Sequence, residues 1–232
     1  MNIFRQNWSS DRKISQQLWD LLEKISIVTS TNSHSTTTPG QRFDGRSLFP
    51  LFARPGSQVG AIIAHPKMAR AALKKDAALL VYPGGAKDLF RPYAMRNQIY
   101  LANNQAFIKL ALLESAPIVP LVSHGAHETL IILADLYSQV KQLQDWGFPL
   151  SLDNNTGVFP IFLGLPWGVG IGPIPNFPFP VQIQTRVCAP VVFERYGRIA
   201  ARDRDYVDAC YQRVCTQMQA ELDDLVALVS QK

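Results

Sequence analysis

The segment LVYPGGAKDLFRP, residues 80–92, combines an apolar run, a Pro-Gly-Gly turn and charges of both signs. The apolar run, which begins at residue 77, is too hydrophobic for a half-exposed strand and predicts a buried one. A Gly-Gly turn directly after a strand can bring backbone N–H groups close to an anion. Taken alone, the segment is explained slightly better by an ordinary turn followed by the solvated charges of Lys87, Asp88 and Arg91.

Outward from this turn, apolar residues recur at the spacings of alternating helices and strands. Helical spacing predicts helices over residues 14–25, 65–76, 104–114, 129–144 and 205–229. Apolar and β-branched runs predict strands over residues 26–31, 58–63, 77–83, 116–122 and 180–193. The alternation predicts an α/β fold, a single domain with a largely parallel central sheet flanked by helices. An N-terminal helix and strand, residues 1–30, are expected to precede the main body, residues 31–232.

Composition and charge bear on the partners and the location. The 232 residues are 47% hydrophobic and carry a net charge of +5, without a basic run of five or more. Such a chain suits an anionic membrane surface better than nucleic acid. The N-terminal residues are charged throughout and lack a continuous apolar core, so no signal peptide is predicted. Three cysteines without a C-x-x-C pair indicate a reducing compartment, and we expect a cytoplasmic protein attached peripherally to a membrane.

Common nucleotide, hydrolase and metal motifs are absent from the sequence. It contains no G-x-x-x-x-G-K-S/T string, and the Gly84-Gly85 pair is not part of a dinucleotide fingerprint. No G-x-S-x-G elbow occurs, which disfavours an α/β-hydrolase. The four histidines do not cluster with the cysteines at zinc spacing, so the sequence predicts neither a metal site nor a cofactor.

The histidines offer two candidate positions for proton transfer or binding. His34 lies in a loop rich in hydroxyl side chains, with Asp44 ten residues further on, and a histidine oriented by a carboxylate is the minimal general base for an alcohol. A solvated loop histidine explains His34 equally well. His124 and His127 follow the strand predicted over residues 116–122, where the carboxyl ends of strands commonly face a ligand crevice.

Three strings in this order resemble the glycerolipid acyltransferase superfamily. They are ALLVYPGGAKD (residues 78–88), FIKLALLESAPIVPLV (residues 107–122) and GAHE (residues 125–128). The similarity extends over roughly residues 60–228 and is greatest to the branch of diacylglycerol acyltransferase type 2 and phytyl ester synthase-like proteins. It implies an acyltransferase-like fold that moves a fatty acyl group from acyl-CoA or acyl-carrier protein to a lipid alcohol, such as diacylglycerol or phytol, at a membrane surface.

The resemblance also implies a set of site residues. In the neutral-lipid branch, Pro-Gly-Gly is followed shortly by an acid, as Asp88 follows Gly85 here, and this favours a neutral acceptor over glycerol phosphate. Backbone N–H groups near the two glycines are candidates for stabilising an oxyanion. The implied acceptor- and donor-binding residues are Pro83, Gly84, Gly85, Lys87, Asp88, Arg91 and His124.

The family's catalytic block is Asn-His, four residues and then Asp, and this chain departs from it. Asn32 and His34 are separated by one residue, and the nearest later acid, Asp44, follows after nine intervening residues. The resemblance implies that His34, oriented by Asp44, deprotonates the acceptor hydroxyl. In a second alignment, residues 46–52 match a later family segment and leave Asp44 outside the site. A catalytically impaired, lipid-binding relative and an unrelated α/β binding domain are the remaining alternatives.

Residues 158–180 are rich in aromatic residues, proline and glycine. The part from residue 158 to 175 has no charge but contains four prolines and four glycines, too many breakers for a straight membrane-spanning helix. Aromatic side chains beside proline and glycine favour an interfacial loop that contacts the bilayer or lines an acyl channel over a buried core loop.

Overall fold

The computed structural model describes residues 25–29, 62–63, 65–148, 157–166, 168–172 and 176–231. They divide into two compact units, one that ends at Val81 and one that begins with the turn at Tyr82. Residues 14–24 of the helix predicted over residues 14–25 and the candidate catalytic pair, His34 and Asp44, lie outside the described residues, whereas Ile25 begins a strand. The predicted boundary after residue 30 stays a prediction.

The first unit contains two parallel strand pairs. Its elements are strands β1 (Ile25–Thr29), β2 (Ile62–Ile63) and β3 (Ala78–Val81) and helix α1 (Pro66–Leu73). The strands lie in the order β2-β1-β3, and both pairs are parallel. Helix α1 begins at a proline, and the His65 side chain caps it by accepting the Lys67 N–H at 3.2 Å. The residues of β3 are half-buried, less enclosed than their apolar character predicted.

The second unit contains the remaining helices and strands. Its helices are α2 (Gly85–Leu89), α3 (Ala106–Glu114), α4 (Tyr137–Asp145), α5 (Arg198–Arg202) and α6 (Arg204–Ser230), with 3-10 turns at Tyr93–Met95 and Ala126–Glu128. Its strands are β4 (Leu121–His124), β5 (Ile131–Asp135), β6 (Pro160–Gly164), β7 (Gly168–Ile171) and β8 (Gln184–Val187). Strand β4 pairs with β8, and the other three form a sheet in the order β5-β6-β7.

The core of this unit lies between α3 and the long helix α6. Ile108 and Leu112 of α3 are fully buried and belong to one cluster with Val207 and Val214 of α6. Both helices were predicted from their apolar spacing, and α6 is stabilised at its start by Asp203, whose side chain accepts the Tyr206 N–H. A second cluster joins the far half of α6 to β4 and to Cys188, directly after β8, so α6 supports the strand that leads into the GAHE segment.

The mixture of helices and strands is confirmed, but a single, largely parallel central sheet is not what the described residues show. They form three small sheets, and β4–β8 and β5-β6-β7 are antiparallel. The strand predicted over residues 116–122 is interrupted because Pro117 and Pro120 have no N–H to donate. Regular pairing therefore begins at Leu121, after an isolated bridge between Ile118 and Val191.

Two other predictions were wrong in detail. Residues 129–144 are not one helix, because β5 precedes α4. Asp135 separates the two elements: its Oδ1 accepts the N–H of Tyr137 at 3.0 Å and that of Phe159 at 2.7 Å. Residues 158–175 contain a β-hairpin, β6 and β7, where a loop was predicted. None of the helices in the described ranges is long and apolar enough to cross a bilayer.

Candidate functional site

The Pro-Gly-Gly turn requires both of its glycines, for different reasons. Gly85 has φ +56°, a conformation that residues with a Cβ adopt at a cost. Gly84 has an ordinary φ, but a Cβ there would overlap the Asp88 side chain and would lie 2.6 Å from the carbonyl oxygen of Tyr100. The turn can therefore sit directly against the chain at Tyr100 only with glycine at position 84.

Asn104 connects this turn to helix α3. Its Nδ2 donates to the carbonyl oxygen of Pro83 at 3.3 Å, and its Oδ1 accepts the N–H of Ala106 at 3.1 Å. The same side chain thus holds the turn and satisfies a backbone donor at the helix start. Gly85 donates its own N–H to the carbonyl oxygen of Tyr82 at 3.3 Å, so this donor of the proposed oxyanion site is engaged within the turn.

Arg91 is buried at the centre of the polar network beyond the turn, with 8% of its surface exposed. Its Nη1 donates to the carbonyl oxygen of Gln98, and its Nη2 donates to that of Arg96 at 3.3 Å. Its Nε donates to Nε2 of His127 at 3.1 Å, and Nη2 lies 3.0 Å from the same nitrogen. A guanidinium presents its donors in a fixed fork, so Arg91 holds the 96–98 segment and the GAHE segment together.

His127 is the neutral acceptor of this network. Since Nε2 accepts from Arg91, its proton is placed on Nδ1. Burial, together with the neighbouring Arg91 charge, lowers the pKa of His127 to about 4. The imidazole is therefore uncharged near neutral pH, as an acceptor beside a guanidinium must be.

Asp88 lies at the other side of Arg91, with 3.5 Å between its Oδ1 and Arg91 Nε. Burial raises the pKa of Asp88, and the Arg91 charge opposes that rise. Burial likewise lowers the pKa of Arg91, while Asp88 opposes that change. Each charge in the pair thus offsets part of the cost of burying the other.

Helix α6 supports the segment whose carbonyls Arg91 binds. Gln219 on this helix accepts the Ile99 N–H at 2.8 Å and donates to the carbonyl oxygen of Asn97 at 2.9 Å. A small cleft beside the segment is lined by Arg96, Asn97, Ser123, His124, Gly125, Ala126, His127 and Glu128. Among the described residues, none provides a hydrogen bond to the buried Oδ1 of Asn97, which leaves an acceptor in the wall of this cleft.

The structure brings most of the predicted binding residues together. Pro83, Gly84, Gly85, Asp88 and Arg91 belong to the turn and its network, and Lys87 is exposed on the outside of α2. His124 ends β4 and lines the cleft. That these residues bind the acyl donor or the alcohol acceptor stays a prediction.

Of the two histidines in SHGAHE, only His124 is among the binding residues that the resemblance implies. The local sequence could have placed His127 near a strand end. It contained no sign that the partner of His127 would be Arg91, 36 residues earlier. The sequence therefore indicated the right loop but not the histidine that joins the network.

Comparison with known proteins identifies a family. The model of the diacylglycerol acyltransferase family matches residues 60–224, which includes the turn, Arg91 and the GAHE segment. Diacylglycerol O-acyltransferase 2 of Bos taurus is 26% identical over 154 residues, which cover 61% of this chain and 38% of that protein. The similarity therefore spans well under half of the length of this relative. No solved structure gives a significant match.

Proposed function

The chain belongs to the diacylglycerol acyltransferase family, and we propose that it transfers a fatty acyl group from acyl-CoA or acyl-carrier protein to a lipid alcohol. Diacylglycerol, phytol or a similar neutral alcohol is the proposed acceptor. The observation that carries the proposal is the family match over the Pro-Gly-Gly turn, in which packing requires Gly84 and the backbone conformation favours glycine at 85. The name of the 26%-identical relative, diacylglycerol O-acyltransferase 2, supports the same lipid substrate class.

In the proposed reaction, His34 removes the proton of the acceptor hydroxyl while Asp44 orients its imidazole. The alkoxide attacks the carbonyl carbon of the thioester, and an ester C–O bond forms. The C–S bond then breaks, and the thiolate leaves and takes up the proton from His34. No covalent acyl-enzyme is required, which agrees with the missing nucleophile elbow in the sequence.

Arg91 is not a candidate for binding a substrate phosphate, because its guanidinium is directed at Gln98, Arg96 and His127. We therefore assign Arg91 to positioning the site and leave the donor's phosphates to Lys87, which is exposed. The parallel order β2-β1-β3 supports an acyltransferase-like fold. A cytoplasmic location with peripheral attachment to a membrane forms part of the same proposal.

An acyl-transfer assay with a panel of acceptors tests the proposal. The purified chain is incubated with labelled acyl-CoA or acyl-carrier protein and with dioctanoylglycerol, phytol or glycerol 3-phosphate in separate reactions. We expect labelled ester from a neutral alcohol at a higher rate than from glycerol 3-phosphate. Failure to form any ester above the enzyme-free background would contradict the proposal, and retained binding of acyl-CoA without turnover would identify a catalytically impaired relative.

A further inference from the structure

The two faces of the β5-β6-β7 sheet differ sharply. On the inner face, Phe162 is 1% exposed and lies between Ile132 and Gly170 in the strand register. A Cβ on Gly170 would approach the Phe162 ring to 2.5 Å, so glycine makes room for the aromatic side chain. This face is closed by its own packing.

The outer face consists of the alternate residues and is apolar and open. Leu163 pairs with Val169, and Ile161, two residues earlier on the same face, pairs with Ile171. Val169 is 62% exposed and Ile171 53%. Leu165 continues the same face and bridges to Phe177, which is 69% exposed. The outer face is defined here by Leu163, Leu165, Val169, Ile171 and Phe177.

The sequence around the outer face carries no charge. Residues 154–185 contain no lysine, arginine, aspartate, glutamate or histidine. An exposed apolar patch of this kind on a folded protein marks an interaction surface. Interfaces with other proteins combine an apolar centre with a polar rim and hydrogen-bonding side chains, which the outer face itself does not contain. The hydrocarbon of a lipid bilayer is a partner that requires no hydrogen-bonding groups.

The backbone groups at the outer edge of β7 limit how deeply the outer face can insert into a bilayer. In the described part of the chain, β7 pairs with β6 alone, so the outer edge of β7 presents backbone N–H and C=O groups. Such an edge is not tolerated deep in hydrocarbon, although it is hydrated at the level of the lipid head groups. Six prolines between residues 154 and 185 reduce the number of N–H donors that need a partner there. Shallow contact by side chains is therefore the fitting mode.

We propose that the outer face docks on a lipid bilayer and inserts its five apolar side chains at the interface. The inference rests on the proposed function, because a chain that acylates a lipid alcohol must reach an acceptor dissolved in a bilayer. The net charge of +5 favours an anionic surface, and the apolar face supplies the contact itself.

Vesicle flotation of the purified chain tests the docking, with no substrate present. The vesicles are phosphatidylcholine alone or phosphatidylcholine mixed with phosphatidylglycerol. We expect the wild-type chain to float with both, and more with the anionic vesicles. The double variant Val169→Asp with Ile171→Asp places two charges on the outer face and is expected to reduce the floated fraction at least about fivefold.

A matched control separates the face from general hydrophobicity. Ile199 on α5 and Leu228 on α6 are exposed apolar residues outside the sheet, at 86% and 52%. Ile199→Asp with Leu228→Asp makes the same change in charge and is expected to float like the wild type. Circular dichroism melting checks that both double variants are folded. If the aspartates prevent folding, the double variant Val169→Thr with Ile171→Thr repeats the test without adding charge.

Three results would overturn the proposal. The first is equal flotation of the outer-face and control variants, and the second is a wild-type chain that stays in the soluble fraction. The third is a wild-type dimer, detected by light scattering, that becomes a monomer in the outer-face variant while flotation is retained. This result would assign the outer face to contact with a second copy of the chain. Since flotation needs no turnover, a chain that floats but transfers no acyl group fails only the proposed function.

Discussion

The Pro-Gly-Gly network and the outer face of the β5-β6-β7 sheet belong to the same compact unit, but the first buries polar groups whereas the second exposes apolar ones. Around the turn, a buried guanidinium binds two carbonyl oxygens and an imidazole, and these partners come from two separate segments, residues 96–98 and GAHE. On the outer face, the apolar side chains of Val169 and Phe177 remain exposed. The difference teaches that geometry is specified where polar groups are buried, whereas the apolar face needs only a surface to cover it.

The largest effect on stability is expected at Gly84. Gly84→Ala places a methyl group against the Asp88 side chain and the Tyr100 carbonyl, and overpacking of this kind costs about 3 kcal/mol. Urea unfolding monitored by circular dichroism measures the loss. Gly147→Ala is the control, because nothing lies within 4 Å of a Cβ there and its cost comes from φ +94° alone, about 1 kcal/mol. Equal losses at the two positions would show that the turn is not packed as described.

A smaller loss is expected at Arg91. Arg91→Met keeps the length of the side chain but leaves two carbonyl oxygens and His127 without their donor, at a cost of about 2 kcal/mol. Arg195→Met is the matched control, since that side chain is 57% exposed and forms a surface pair with Asp203. Loss of such a pair costs about 0.5 kcal/mol. A similar shift in the urea midpoint for both variants would argue against a central role for Arg91.

The pH dependence of stability should change when His127 is replaced. The pKa of this histidine is about 4 in the folded chain against 6.5 for the free side chain, so the unfolded state binds more protons between these values. The contribution of His127 is fully present above pH 6.5 and is lost as the pH falls towards 4. Asp88, whose pKa is raised, acts in the opposite direction at the acid end.

His127→Gln keeps an acceptor for Arg91 that does not titrate. Its melting temperature is therefore expected to fall less than that of the wild type between pH 7 and pH 5, while Asp88 contributes to both chains alike. Melting curves at the two pH values make the comparison. Parallel curves for the two chains would contradict the assignment of His127 as a buried neutral acceptor.

The smallest effect is expected on the outer face. Val169→Thr changes a side chain that is already 62% exposed and should alter the free energy of unfolding by no more than about 0.5 kcal/mol. The same substitution at Val122, which is 2% exposed in β4, buries a hydroxyl and costs about 2 kcal/mol. If Val169→Thr were as costly as Val122→Thr, the outer face would be covered in the isolated chain.

The elements that the sequence predicted well are those with long or local signals. Helix α6 repeats its apolar residues over 27 positions, and helix α1 begins at a proline, so neither depends on a distant partner. The Pro-Gly-Gly turn was also visible, because glycine has few other reasons to occur twice after an apolar strand.

Strand pairing and the site's inner contacts could not be predicted in the same way. Pro117 and Pro120 could have shown that the strand predicted over residues 116–122 is interrupted, but the antiparallel partner of β4 lies about 60 residues later in the chain. His127 gains its role from Arg91, which only tertiary folding brings near. Such contacts depend on the whole fold and leave no local pattern in the sequence.

The acyl-transfer rate of His34→Ala beside the wild type tests the central claim most directly. The reaction contains labelled acyl-CoA and the neutral acceptor that works best, and initial ester formation is measured. We predict a loss of about 10²–10⁴-fold, the usual contribution of a general base, with His65→Ala close to the wild-type rate. An equal rate of ester formation by the wild type and His34→Ala would contradict the account.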